Sequence, residues 1–407
     1  MKFDKISNVL TYIFLFIACL WPPFQIYILK VDGAGRSLSF LAIAFLVANL
    51  GHKAFIKSIT KTPIKIWIVW LFYALFSTMA HGYNDYNTSF SLLFKELGIP
   101  LAVMIAINYM NIVDSSRTLN VLIVSLSLNI ILTLLFIDNL QSFSMHAPGD
   151  QFKINANEFG VAALTLLIII YLKYCFEQIS GYRALLLMIL PILCIIVSGS
   201  RNAFIGAAIF FAINFLLAPV KHKKNYLHRS VLVLSILIFA FYFVLFNTYV
   251  GERLLKTEEQ SQSFNLNTNT PLDKIGDRGV FYVIGYEAFK DSPVFGIGLY
   301  NTPKYIDFLV QHSEYMIQLS ELGIVGSLLF IMFYFRIARK LFVKIPTHDP
   351  RIVRLKIIHV SIFIVILVMA FFTRVFNSIY FFSLIGILLS YRNKIKPVLL
   401  ISKDNSL

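Results

Sequence analysis

The stretch that decides the fold is residues 184–219, ALLLMILPILCIIVSGSRNAFIGAAIFFAINFLLAP, in which Arg201 is the only charged residue. The apolar runs on either side, 184–199 and 203–219, are near the length at which an α-helix crosses the hydrocarbon core of a bilayer. Irregular backbone is not tolerated where it faces lipid. We therefore predict two membrane-spanning helices joined by a very short turn.

The whole chain has the composition of a membrane protein. Of its 407 residues, 58% are hydrophobic and 14% are charged, whereas soluble domains are about 45–50% apolar and about 25% charged. The net charge of +15 lies mainly between apolar runs, which is the pattern of the positive-inside rule and argues against nucleic acid as a partner. The three cysteines (Cys19, Cys175 and Cys194) have neither disulfide-framework nor zinc-site spacing.

Apolar runs near bilayer length recur along the chain and predict an all-α integral membrane protein with about 12 transmembrane helices. The predicted spans are 9–29, 37–52, 66–81, 92–112, 119–138, 156–172, 184–199, 203–219, 230–249, 314–335, 357–372 and 376–391.

Lysine and arginine in the short loops set the orientation. With the N-terminus in the cytoplasm, most basic residues fall on the cytoplasmic side, as the positive-inside rule requires. The C-terminus then also lies in the cytoplasm. We predict three regions: spans 1–9 in residues 1–249, one large periplasmic loop in residues 250–313 between spans 9 and 10, and spans 10–12 with a short cytoplasmic tail in residues 314–407.

Three arginines on the predicted outer face are candidate substrate ligands. Arg201 and Arg374 lie in tight turns between spans, and Arg278 lies in the large loop. One interpretation is that they extend to lipid headgroups, as long basic side chains do near helix ends. The other is an anion clamp, because a guanidinium binds phosphate oxygens in a bidentate way.

Two further features lie in and beside the loop. His312, in QHSEY (residues 311–315), is a candidate general base because histidine titrates near neutrality; the alternative is a surface or core histidine without a catalytic role. Residues 292–301, SPVFGIGLYN, form either a phosphate-binding glycine loop or a turn between two helices of the loop.

Four pieces of the chain, in this order, resemble the O-antigen ligase and O-antigen polymerase superfamily. Each corresponds to one motif of that superfamily. The pieces are NANEFG (155–160), which is similar to an Asn-containing entry to a middle span; SGSR (198–201), similar to the (S/T)xSR turn; KDSPVFGIG (290–298), similar to the hPl-GvG stretch; and His312-Ser313 with Gly323 and Gly326, similar to H(N/S/Q)x9GxxG.

The resemblance implies a GT-C-like, all-helical glycosyltransferase of the bacterial inner membrane that uses no metal ion or other cofactor. Its donor would be an undecaprenyl-diphosphate-linked oligosaccharide, bound on the periplasmic side. Arg201 would hold the diphosphate, His312 would act as the base on the acceptor hydroxyl, and Arg278 would match a loop arginine. Arg374 matches no quoted motif, and its assignment to the diphosphate rests on its place at the membrane interface. A co-polymerase that regulates chain length is an expected partner.

Three functions remain open at this point. An O-antigen polymerase joins lipid-linked repeat units, and the residues that follow His312 (Tyr315, Gln318, Glu321 and Gly323) resemble polymerases slightly more. An O-antigen ligase transfers the same glycan to the lipid A core. A flippase for lipid-linked oligosaccharides is the third interpretation, and its ionisable residues would line a cavity at the membrane midplane.

Overall fold

The computed structural model describes residues 2–23, 61–81, 98–136, 156–217, 235, 242, 277–302, 313–343 and 349–404, without the side chains of 2–5, 22, 277–281 and 392–404. These residues form eleven α-helices and, within this part of the chain, no strand. The helices are α1 (Lys2–Pro23), α2 (Thr62–Ala80), α3 (Ile99–Val113), α4 (Ser115–Leu135), α5 (Ala156–Cys175), α6 (Gly181–Ser198), α7 (Arg201–Leu216), α8 (Asp277–Asp291), α9 (Glu314–Phe342), α10 (Pro350–Met369) and α11 (Ile379–Asp404).

The helices have the length and composition of membrane spans. Among the described residues, six helices (α2, α4, α5, α6, α9 and α10) are long and apolar enough to cross a membrane, and four shorter apolar segments lie in α1, α3, α7 and α11. This confirms the all-α membrane class. The predicted span 37–52, all but two residues of span 230–249, and most of the predicted loop 250–313 lie outside the described residues, so the count of twelve stays a prediction.

Helix α5 lies at the centre of the bundle, where every residue from Phe159 to Lys173 is buried. It contacts α4, α6 and α7. The outer helices instead keep an apolar face outward: on α2, Phe72 and Phe76 are each 65% exposed. Large apolar side chains on the outside are expected of helices that face lipid, because lipid tails are as apolar as a protein core.

Aromatic rings fasten α2 to its neighbours. Trp67 stacks on Trp70 with ring centroids 4.4 Å apart. Trp67 also contacts Phe333 of α9 at 4.8 Å and Phe382 of α11 at 5.1 Å. Aromatic pairs at these separations contribute about 0.5–1.5 kcal/mol each beyond the area that they bury. The cluster therefore fixes α2 against the two helices that flank the site described below.

The two ends of the bundle differ in charge. One end, which we call the site end, carries the turn between α6 and α7, the segment 292–302 and the turn 370–378. Arg351 and Glu177 form an exposed ion pair of 3.8 Å at the opposite end, where the basic residues that close α9 and open α10 also lie. These charges are the ones predicted to be cytoplasmic, so the site end corresponds to the predicted periplasmic side.

This sidedness predicts a labelling pattern. We choose Val294 at the site end, which is 47% exposed, and Tyr182 near the opposite end, which is 73% exposed. In a background with the three native cysteines replaced by alanine, a membrane-impermeant maleimide should label Val294→Cys in intact spheroplasts. It should label Tyr182→Cys only after the membrane is disrupted. The reverse pattern would invert the topology.

Candidate active site

The turn 370–378 contacts each element that carries or adjoins a predicted site residue. Its successive carbonyls at 370, 371 and 372 accept hydrogen bonds from the Glu314 backbone N–H at 2.9 Å, the Tyr282 hydroxyl at 3.2 Å and the Asn202 side-chain amide at 3.3 Å, respectively. These donors belong to α9, α8 and α7. Three elements far apart in sequence therefore meet at one short turn.

The predicted site residues are described to different extents. Arg201 is the first residue of α7 and is half-buried; Arg374 lies within the turn 370–378 and is also half-buried. Arg278 is the second residue of α8, and its side chain is not among those described. His312 lies outside the described residues and directly precedes Ser313. The elements of all three arginines thus lie at the site end, while the role of His312 stays a prediction.

The turn that presents Arg201 is built by small polar residues. Gly199 ends α6 in the left-handed conformation with φ 59°, which a glycine adopts without strain. The Ser200 N–H donates to Ser198 Oγ at 3.1 Å, and the Ser200 hydroxyl donates to Asn157 Oδ1 at 3.0 Å. A Cβ at Gly160 would lie 2.7 Å from Ser200 Cβ. Asn157 and Gly160 of the NANEFG motif therefore form one unit with the SGSR turn, and this unit holds Arg201 at the N-terminus of a helix, where anions are favoured.

Helix α9 is broken at Gly323, whose φ of 64° and ψ of −165° are not helical. The segment 293–298 lies in the break and pairs with α9 backbone to backbone. The pairs are Ile297 N with Ser320 O at 3.2 Å, Gly298 N with Glu321 O at 2.8 Å, Ile324 N with Pro293 O at 2.9 Å and Val325 N with Val294 O at 3.2 Å. A Cβ at Gly323 would lie 2.5 Å from Gly296 N, so only glycine fits this contact.

The glycine segment, residues 293–298, and the residues up to Asn301 offer no free backbone donor to a phosphate from Gly296 onward. Every backbone N–H from Gly296 to Asn301 donates to an acceptor within the protein. From α2, the Tyr73 hydroxyl and the Ser77 hydroxyl each donate to Phe295 O at 2.9 Å. The geometry therefore favours the turn interpretation over the phosphate-binding loop, because a phosphate loop needs free N–H groups.

Two buried acids flank Arg374. Glu314 is 0% exposed and Glu321 is 1% exposed, and both lie in the electrostatic range of the Arg374 charge. Glu321 accepts hydrogen bonds from the Tyr300 N–H at 2.8 Å and from the Thr302 hydroxyl. The guanidinium carbon of Arg374 lies 5.4 Å from the centroid of the Tyr300 ring, as in a cation–π contact. The Tyr300 ring therefore borders the Arg374 guanidinium, and both acids lie within range of its charge.

Glu314 and Glu321 are not among the site residues predicted from the sequence. A signal was present, because Glu314 and Glu321 fall inside an apolar run, where an ionisable residue is a functional hypothesis by default. Among the described residues, no three His, Cys, Asp or Glu side chains lie close enough together to hold a metal ion. The two acids are instead engaged by N–H and O–H donors and by the field of Arg374.

The contact at Gly323 predicts a large loss of stability on substitution. Gly323→Ala places a side chain at positive φ and against backbone, so it should destabilise the protein by roughly 1–3 kcal/mol. Gly98→Ala is the matched control: φ at Gly98 is −70°, and among the described residues, apart from its chain neighbours and its own helix backbone, no atom lies within 4 Å of a Cβ there. Thermal unfolding of the two variants in detergent measures the difference, and equal melting temperatures would contradict the prediction.

The comparison with known families agrees with this architecture. Residues 186–331 match the family model described as O-antigen ligase. The match includes the SGSR turn, the glycine segment and the break in α9, and it ends before Arg374. No curated protein matches the chain. The chain is thus a membrane protein of which residues 186–331 match the O-antigen ligase family model, and this match confirms the resemblance to the O-antigen ligase/polymerase superfamily.

Proposed function

We propose that this protein is an O-antigen or surface polysaccharide polymerase of the bacterial inner membrane. In this proposal it uses an undecaprenyl-diphosphate-linked glycan as donor and works on the periplasmic side without a metal ion. The O-antigen ligase domain supports a function of the ligase or polymerase type. The observation that carries the proposal is the turn 370–378, which unites the elements of Arg201, Arg278 and Arg374 with the start of α9.

The proposed reaction is a displacement at the anomeric carbon of the donor sugar. The oxygen of the acceptor hydroxyl forms the new glycosidic bond, and the bond between the anomeric carbon and the diphosphate oxygen breaks. Undecaprenyl diphosphate leaves with the electron pair, and His312 takes the hydroxyl proton as general base. Arg201, Arg278 and Arg374 stabilise the negative charge that grows on the leaving group. The energy comes from breaking the bond between the anomeric carbon and the diphosphate oxygen.

The surroundings of the arginines support an anion clamp. Arg201 begins α7, so its positive charge adds to the partial positive charge of a helix N-terminus. Arg374 is half-buried beside Tyr300 and two buried acids. Such enclosure leaves less side-chain freedom for reaching out to lipid headgroups. A guanidinium that these neighbours restrain would be in place before a substrate binds, which is how preorganised charges assist catalysis.

The ligase is the alternative within the same family. It would use the same donor and differ only in the acceptor, which would be the lipid A core. The flippase interpretation receives less support, because Arg201, Glu314, Glu321 and Arg374 lie at the site end of the bundle. A transporter places such residues near the membrane midplane.

Removal of a clamp arginine should abolish polymer. Arg201→Ala and Arg374→Ala are each expected to lower glycan transfer about 100-fold or more, because a preorganised donor to the developing charge is lost. The matched control is Arg351→Ala, since Arg351 lies at the opposite end with its side chain 78% exposed. Surface polysaccharide profiles, with each variant's amount in the membrane checked by immunoblot, measure the effect. Wild-type profiles in both arginine variants would contradict the clamp.

A deletion strain distinguishes the polymerase from the ligase. Loss of a polymerase should leave lipid A core that carries a single repeat unit, because one unit can still be ligated. Loss of a ligase should instead leave full-length polymer on the lipid carrier. If the deletion is complemented equally well by Arg201→Ala and by His312→Ala, neither enzyme explains the protein, and the flippase gains support.

A further inference from the structure

Glu314 forms hydrogen bonds with the turn 370–378 on both sides of Arg374. Its backbone N–H donates to Ala370 O at 2.9 Å. Its carboxylate Oε2 accepts from Val375 N at 2.7 Å and Phe376 N at 3.1 Å. A single residue therefore fixes the chain before and directly after Arg374.

The other carboxylate oxygen of Glu314 ends a buried chain of hydrogen bonds. Oε1 accepts from Gln318 Nε2 at 2.7 Å, and Gln318 Oε1 accepts from the Trp70 indole N–H at 2.8 Å. Because an indole can only donate, the direction of the whole chain is set from Trp70 to Glu314. Three donors therefore converge on Glu314, which is the arrangement that an ionised carboxylate accepts.

The charge of this carboxylate needs a partner, since burying an unpaired charge is costly. Glu314 is fully buried, and Arg374 is the arginine in whose field it lies. Glu314 also stands two residues after His312 in the chain. One acid therefore adjoins the predicted base in sequence and accepts hydrogen bonds from the two residues that follow Arg374.

We propose that Glu314 is a positioning residue for the transfer reaction, which sets Arg374 relative to the start of α9. This inference rests on the proposed glycosyltransferase function. Glu314 does not touch the substrate; it acts through the backbone of residues 375 and 376 and through the charge of Arg374. If Glu314 only stabilises the fold, its substitution should lower the amount of folded protein. If Glu314 is a positioning residue, its substitution should lower the turnover of the protein that is folded.

A double-mutant cycle tests this distinction. Wild type, Glu314→Gln, Arg374→Ala and the double variant are reconstituted in proteoliposomes. Each is assayed with the lipid-linked repeat unit extracted from the deletion strain. In Glu314→Gln, one carboxylate oxygen is replaced by an NH2 group, which is a donor and faces a donor of Gln318 or of the backbone at 375 and 376. The turn 370–378 should therefore shift. A displacement of about 1 Å costs on the order of 100-fold in rate. We expect that loss in kcat, with KM changed less than about threefold because ground-state binding is retained.

The double variant carries the decisive readout. If Glu314 acts through Arg374, adding Glu314→Gln to Arg374→Ala should lower the rate less than about threefold further, because coupled residues are not additive. Should Glu314→Gln not accumulate as folded protein, Glu314→Asp replaces it. Aspartate keeps the charge that compensates Arg374 and withdraws the carboxylate from residues 375 and 376. The same loss of kcat and the same lack of additivity are expected.

The outcomes separate this inference from the function on which it rests. Full additivity, or full activity of both Glu314 variants while Arg374→Ala is impaired, would overturn the positioning role and leave the proposed function standing. Full activity of Arg374→Ala would instead remove Arg374 from the clamp and the positioning role with it. No transfer by the wild-type protein from the extracted lipid-linked donor would overturn the function itself.

Discussion

The backbone of the turn 370–378 must satisfy its hydrogen bonds at the edge of a bilayer, and the site depends on how it does so. Buried N–H and C=O groups left without partners are expensive, and lipid offers none. Here the carbonyls of 370–372 take donors from α7, α8 and α9, and the amides of 375 and 376 find the Glu314 carboxylate. Satisfying one turn therefore brings together elements that lie far apart in the sequence.

The same constraint explains the glycine segment. A break in α9 at Gly323 leaves helical N–H and C=O groups without their usual partners. The segment 293–298 supplies the missing donors and acceptors by pairing along both sides of the break. This pairing requires the two backbones to approach more closely than a Cβ would permit, as at Gly296 and Gly323. The spacing of these glycines thus encodes the docking of two segments of backbone rather than contact with a phosphate.

The sequence predicted the helical class, apolar runs at ten places where described helices lie, and Arg201 at a turn between two of them, because these features follow from local hydropathy. It also predicted 314–335 as a continuous span. The break at Gly323 was not predicted, because hydropathy does not report the φ and ψ angles of a single residue. The role of Glu314 could not be predicted either. Its partners Val375 and Phe376 are 61 and 62 positions away along the chain, and hydrophobic periodicity carries no information about a contact over such a separation.

Among the three arginines, Arg374 has the least support from sequence motifs and the most fully described surroundings in the structure. From sequence alone, extension to lipid headgroups and binding of a phosphate were equally open to it, because both need only an interfacial guanidinium. The structure adds the Tyr300 ring on one side and the fields of Glu314 and Glu321, both of which are fixed by hydrogen bonds of their own. A cation restrained by such neighbours would lose less freedom when an anion arrives than one that extends into headgroups, and the proposed clamp depends on this difference.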